Sequence, residues 1–236
     1  MAKTLKVLSA LLSYPTEELQ NATDELYTVI DGEALLSSPT REALEDLITD
    51  IAGADLYDLQ ERYVDLFDRG RSLSLHLFEH VHGESRDRGQ AMIDLKSQYE
   101  RHGLAIESGE LPDFLPLFLE FLSTLPLGEA RHQLGQTAHI LAALAERLGK
   151  REAPYEAVFN ALQEIALPPE DTADVEIVPE APDADPSDLA ALDAQWEEEA
   201  VTFGPEAAPS CKDQLIARIR AGRRPAPGLE TTRGMP

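Results

Sequence analysis

Residues 63–92 read YVDLFDRGRSLSLHLFEHVHGESRDRGQAM and gather several side chains able to do chemistry. Three histidines fall there: His76, His80 and His82. On a helix, His76 and His80 stand at i and i+4 and share a face, with Glu79 and Glu84 close in sequence. Imidazole and carboxylate together are a donor set for a divalent metal, so a metal-dependent hydrolase built on His76, His80 and His82 is one reading. The order differs from the His-Glu-x-x-His of zinc proteases, because residues 76–80 run His-Leu-Phe-Glu-His. Hydrogen-bonded histidines at a helix junction are the plainer reading.

The same stretch mixes charges of both signs. Asp68, Glu79, Glu84 and Asp87 stand among Arg69, Arg71, Arg86 and Arg88. Arginine–carboxylate pairs are planar and bidentate, so they fix the orientation of connected helices. They serve either a buried polar hinge or a polar-lined groove that reads a partner helix. Gly70 and Gly83 flank a short helix predicted over Leu73–Val81 and would permit tight turns or close approach. For a groove, Tyr63, Phe67, Leu75 and Phe78 are the apolar anchors or supports. Asp68, Arg69, Arg71, Glu79 and Glu84 are the polar readers, and Gly70, His80, His82, Arg86 and Asp87 complete the candidate set. No phosphate-cradling glycine loop, Gly-x-Ser-x-Gly or dinucleotide fingerprint occurs. The single cysteine, Cys211, excludes an internal disulfide and a cysteine-held zinc or iron–sulfur site made by this chain alone.

The elements that position this stretch read as helix after helix. Leu5, Leu8, Leu11 and Leu12 form the first stripe. After Pro15 come Leu19, Ala22, Leu26, Val29 and Ile30. Ser38-Pro39 reads as a cap with proline at N1, ahead of Leu44, Leu47, Ile48 and Ile51. Asp55 caps a helix carrying Leu59, Tyr63 and Phe67, and a longer helix over about 84–102 stops at Gly103. Pro112 opens a very apolar segment, in which Pro116 is tolerable if the helix starts a few residues later. One stripe runs from Leu134 to Leu148, and the last carries Tyr155, Val158, Phe159, Leu162 and Ile165. No alternating strand pattern competes, so the fold class is all-α: one helical-bundle domain over 1–166.

Beyond it, 167–236 is an acidic, proline-rich tail with no Lys or Arg between Glu152 and Cys211. Such composition argues for mobility in isolation. One island, 187–200, suits a short helix with Leu189, Leu192 and Trp196 on one face, either docked on the core or reserved for a partner. The whole chain has 236 residues and a formal net charge of −24, which disfavours phosphate backbones and anionic lipid and favours a basic partner. No apolar run is long enough to span a bilayer. The apolar stretch Val7–Leu12 is read as a first helix rather than a leader, and a cytoplasmic location is expected.

The run from Phe67 to Met92, with Glu110-Leu111-Pro112-Asp113 and Trp196-Glu197-Glu198-Glu199, resembles the assembly chaperones of respiratory nitrate reductase, the delta-subunit type within the TorD-like family. The chain departs from that pattern at Phe114, where the family has histidine. The resemblance implies an all-helical, cytoplasmic binding protein and no enzyme. It also implies a partner, the N-terminal segment of the apo catalytic (alpha) subunit, held while the molybdenum cofactor is inserted and before membrane docking. No cofactor would be bound stably, and a transient contact with the molybdenum cofactor would draw on Arg69, Arg71, Arg86 and Arg88. A chaperone for a different molybdenum oxidoreductase is the related alternative.

Overall fold

The computed structural model describes residues 2–80, 86–106 and 109–167, and of residues 86–88 the backbone alone. The predicted tail beyond Leu167, with its 187–200 island, lies outside the described residues, as do His82, Gly83 and Glu84. Among the described residues, ten α-helices and two 3-10 turns account for the regular structure: α1 (Lys3–Leu11), α2 (Glu17–Asn21), α3 (Thr23–Glu33), α4 (Ser38–Gly53), α5 (Leu56–Phe67), α6 (Arg86–Arg101), α7 (Leu115–Thr124), α8 (Leu127–Gly135), α9 (Ala138–Lys150) and α10 (Glu156–Ile165). Among the described residues the fold is all-α, as the periodicity predicts; the one β-type contact is an isolated bridge between His76 and Phe114.

The core forms around α1. Leu5, Leu8, Leu11 and Leu12 are fully buried, and α1 packs against α3, α7 and α10. The α9–α10 pair packs against itself and, through α10, on α4. Leu44, Ile48 and Ile51 of α4, Leu141, Leu144 and Leu148 of α9, and Val158 and Leu162 of α10 all lie inside. Each set repeats at three or four residues, so one face of each helix enters the common core.

Two carboxylates from distant helices hold helix starts. Glu33, at the end of α3, accepts from the Lys3 and Thr4 N–H groups at 2.8 and 2.7 Å and from the Thr4 hydroxyl at 2.7 Å. These are orphan donors of the first turn of α1, whose own N-cap, Ala2, has no side chain to offer them. Glu164 of α10 accepts from the Ser37 N–H, the Ser37 hydroxyl and the Thr40 hydroxyl at the start of α4. The N-cap of α4 is therefore Ser37, one residue before the sequence expectation, with Pro39 inside the first turn.

Partial burial pushes both carboxyls up, but the hydrogen bonds outweigh it and leave both below the usual carboxylate range. A depressed folded pKa contributes stability that is full above the unfolded value, about 4.3, and lost as pH falls through the folded one. Both groups are largely solvated, so the gain is discounted for screening. Glu164→Gln is expected to cost roughly 0.5–1 kcal/mol at pH 7 and to flatten the stability loss below pH 4. Urea titrations at pH 7 and pH 3 check this, and an identical loss of midpoint in both proteins would contradict it.

Three local expectations change. The segment around 73–81 is no helix: turns at Arg71–Leu73 and Leu77–Glu79 flank an extended stretch. Its backbone bonds outward, with Leu77 N–H donating to the Asp113 carbonyl (3.0 Å) and Leu115 N–H to the Leu75 carbonyl (2.8 Å). Those pairings with 113–115 replace the i→i−4 bonds a helix would need. The apolar segment after Pro112 becomes helical only at Leu115, which puts Pro116 in the first turn, where its missing N–H costs nothing. The Leu134–Leu148 stripe is two helices, broken where the Thr137 N–H and hydroxyl both bond the Leu134 carbonyl. Gly103 does stop α6: at φ 79° it lets the Leu104 N–H reach the Tyr99 carbonyl and its own N–H reach that of Glu100, the Schellman pattern.

Candidate functional site

The segment 70–80 is organised by Asp113, whose side chain is fully buried. One carboxylate oxygen accepts the Phe78 N–H at 3.1 Å, and the other lies 3.2 Å from His76 Nδ1. Ser74 Oγ accepts the His76 N–H. A buried carboxylate is costly unless its oxygens are satisfied, and here both are. The Phe114 ring stacks obliquely on His76, centroids 5.4 Å apart.

His80 is almost fully buried and its Nε2 lies 2.8 Å from the Ser74 carbonyl. Burial pushes its pKa down; the Ser74 bond, Glu79 and Asp113 act the other way, and Arg147 acts with burial. His80 therefore stays neutral at pH 7, with the Nε2 proton assigned from the carbonyl it faces. The buried Arg147 donates to the Ser72 carbonyl at 2.7 Å, and Arg151 reaches the Ser72 hydroxyl. The C-terminal part of α9 thus holds the near end of the segment, and Asp113 holds the far end.

The helical premise of the metal reading is gone. His76 faces Asp113 and His80 faces a backbone carbonyl, and among the described residues no group of three or more His, Cys, Asp or Glu side chains converges on a metal position.

The other candidates separate by depth. Tyr63, Phe67 and Leu75 belong to the core. Tyr63 and Phe67 stack at 5.0 Å, Phe67 meets Tyr155 edge-on at 5.2 Å, and the Tyr63 hydroxyl donates to the Leu12 carbonyl. Phe78 and Glu79 are half-buried; Asp68, Arg69 and Arg71 are exposed, with Arg69 paired to Asp65 at 3.1 Å. Gly70 is extended at φ −145°, and a Cβ there would meet nothing, so no glycine is needed. Arg86 and Asp87 begin α6. Sequence reasoning missed Ser72, Ser74 and Arg147 as holders of the segment. Asp113 stood in view within Leu-Pro-Asp, yet its role depends on a contact made across 37 residues.

Among the described side chains, those of the C-terminal half of α6 tie it to its neighbours. The Tyr99 hydroxyl donates to the Pro112 carbonyl at 2.7 Å, the Tyr99 ring packs on Phe121, and Gln98 bonds Gln133 of α8. Of its described side chains only Tyr99 is buried; Met92 and Leu95 are half-buried and Ile93 is 59% exposed. In the neighbouring 111–117 segment Leu111 is exposed and Phe114 and Leu117 are half-buried. Apolar side chains are thus left open to solvent beside a set of polar holders.

Residues 33–161 match the nitrate reductase delta subunit family. The chain belongs to that family. The nitrate reductase molybdenum cofactor assembly chaperone NarJ of Escherichia coli (strain K12) is 47% identical over 84% of each chain. The same organism's probable assembly chaperone NarW is 43% identical over 88% of this chain and 86% of its own. A probable NarJ of Bacillus subtilis (strain 168) is 32% identical over 67% of this chain and 85% of its own. A crystal structure of a putative redox enzyme maturation protein from Archaeoglobus fulgidus aligns with TM-score 0.49 and 22% identity over 70% of this chain and 92% of that one. Within the delta subunit family match lie both the 70–80 segment and Asp113. No helix among the described residues is long and apolar enough to cross a membrane.

Proposed function

We propose that this protein is an assembly chaperone for a respiratory nitrate reductase. It binds the N-terminal segment of the apo catalytic subunit, keeps that subunit competent for molybdenum cofactor insertion, and delays docking to the membrane anchor. The cofactor goes into the client, and contact with this chain is transient. The observation that carries the reading is the 47% identity over 84% of both chains with a protein named a nitrate reductase molybdenum cofactor assembly chaperone.

The architecture supports it. An amphipathic helix binds by laying an apolar face into an apolar groove; Ile93 and Leu95 on α6, Leu111 and Phe114 in the segment before α7, and Leu117 on α7 are exposed or half-buried apolar side chains that could serve it. The net charge of −24 favours encounter with a basic segment, more strongly at low salt. The role asks for no catalytic group, and two of the three histidines that prompted a hydrolase reading, His76 and His80, face Asp113 and the Ser74 carbonyl.

Co-purification with the apo catalytic subunit tests the proposal. The full-length subunit should be retained and a subunit lacking its N-terminal segment should not. Equal retention of both would remove the N-terminal assignment, and retention of neither would remove the client.

A further inference from the structure

Leu111-Pro112-Asp113-Phe114 forms a tight turn, closed by the Phe114 N–H donating to the Leu111 carbonyl at 3.0 Å. The proline ring fixes φ at residue 112, and the 112–113 peptide is planar. One torsion, ψ of Pro112, therefore sets which way that peptide faces. The two common turns with proline in second place, types I and II, differ by a flip of this peptide, and type II needs a positive φ at the third residue. Among the described residues, positive φ outside glycine occurs only at Ala34 and Glu152, so Asp113 does not have it and the turn is not type II.

Tyr99 of α6 holds the peptide in that orientation. Its hydroxyl donates to the Pro112 carbonyl at 2.7 Å, and its ring is fixed against Phe121, centroids 4.7 Å apart. Burial, with the Asp113 charge adding to it, pushes the Tyr99 phenol up, so the hydroxyl keeps its proton and remains a donor. The bond falls on the peptide immediately before Asp113. Asp113 in turn takes the Leu77 N–H on its carbonyl and the Phe78 N–H on one carboxylate oxygen, with His76 Nδ1 at the other. A path from α6 to the 70–80 segment thus runs from hydroxyl to Pro112 carbonyl to Asp113. The same turn carries Leu111, which is exposed, and Phe114, which is half-buried.

We infer that Tyr99 is a positioning residue: its hydroxyl sets the 111–114 turn, and through the turn it aims the Asp113 carboxylate at residues 76–78 and places Leu111 and Phe114 for the client. α6 and the 70–80 segment then act as one mechanical unit. A displacement of α6 that breaks the hydroxyl bond leaves the Pro112 carbonyl without its donor, which is costly for a buried group and favours a flip of the 112–113 peptide. The flip turns that carbonyl to the opposite face and swings the Asp113 side chain with it, so the 70–80 segment loses the holder of its far end. The part of the inference that concerns Leu111 and Phe114 rests on the function proposed above; the part that concerns Asp113 does not.

The test compares two variants of the full chain. Tyr99→Phe keeps the ring on Phe121 and removes only the hydroxyl. Gln98→Ala removes another side-chain bond of α6, to Gln133 of α8, and so loosens the helix without touching the turn. Amide exchange read by NMR should show the Phe78 N–H exchanging about five- to thirty-fold faster in Tyr99→Phe and within about two-fold of wild type in Gln98→Ala, with α4 amides protected in both. The His76 ring resonances should shift in Tyr99→Phe alone. A wild-type exchange rate at Phe78 in Tyr99→Phe, equal acceleration by both variants, or unmoved His76 resonances overturns the inference. Calorimetry with a synthetic peptide carrying the N-terminal segment of a nitrate reductase catalytic subunit reads the surface part. Tyr99→Phe should bind about three- to ten-fold more weakly, and Gln98→Ala should stay within about two-fold of wild type. Equal affinity in wild type and Tyr99→Phe overturns the placement of Leu111 and Phe114. No binding by the wild-type chain overturns the proposed function, and the exchange result then decides the coupling by itself.

Discussion

Asp113→Ala is expected to lose about 2–4 kcal/mol of stability, the range for breaking a buried, hydrogen-bonded carboxylate site. The side chain is fully buried and serves two separate groups, the Phe78 N–H and His76 Nδ1. Alanine removes both partners at once and leaves a void where the carboxylate was. The backbone bonds from Leu77 to the Asp113 carbonyl and from Leu115 to the Leu75 carbonyl remain, so the effect should be local before it is global. Asp113→Asn keeps one acceptor oxygen and should lose about half as much. Urea titration gives the size, and amide exchange gives the place. The Phe78 N–H should exchange much faster in Asp113→Ala, while amides of α4 stay protected. A wild-type midpoint together with unchanged exchange at Phe78 would show that the carboxylate does not organise the segment.

The same segment contributes an acid sensitivity of a different kind. His80 has its folded pKa pushed below the ordinary value, so the unfolded chain takes up a proton at higher pH than the folded one. Stability from this group is full above about pH 6.5 and is lost as pH falls below it. It therefore precedes the loss from Glu33 and Glu164, which sets in only below the carboxylate range. The unfolding midpoint should begin to fall between pH 7 and pH 5, and in His80→Gln that early portion should shrink to what His139, whose pKa burial also pushes down, contributes.

Much of the architecture was legible because it depends on spacing alone. The stripes of α1, α4, α9 and α10 name their own buried faces, and Asp55 and Gly103 mark a helix start and a helix stop by local chemistry. The 70–80 segment was not legible. Leu73-Ser74-Leu75-His76-Leu77 alternates apolar and polar residues over too few positions to distinguish a strand-like stretch from a turn of helix. What decides its shape is Asp113, which lies far along the chain and reaches back to take the Phe78 N–H. Candidate site residues chosen for being aromatic, Tyr63 and Phe67, went to the core for a related reason: at i and i+4 a buried face and a binding face look alike. Glu33 and Glu164 were invisible as helix-end partners because the groups they bind are about 30 and 127 residues away.

Leu8→Ala is expected to cost about 3 kcal/mol, within the 2–5 kcal/mol range for removing a fully buried leucine from a core. Leu8 has no exposed surface, and α1 is surrounded by α3, α7 and α10. With Ser9 also spent on the Pro116 carbonyl at 2.6 Å, little rearrangement is open to the helix, and collapse into the void should be incomplete. Leu8→Met keeps the volume and should lose less than about 1.5 kcal/mol. Thermal unfolding of the two variants side by side distinguishes a packing loss from a general intolerance of substitution; equal melting temperatures would argue that α1 is not central.

The place of α1 also bears on biosynthesis. This leucine-rich helix leaves the ribosome before every other described helix, while α7 and α10, against which it rests, emerge among the last. Until Ile165 is out, the nascent chain trails an oily N-terminal stretch that α3, and later α7, cover only in part, open to capture by holdases or by a neighbour on the same polysome.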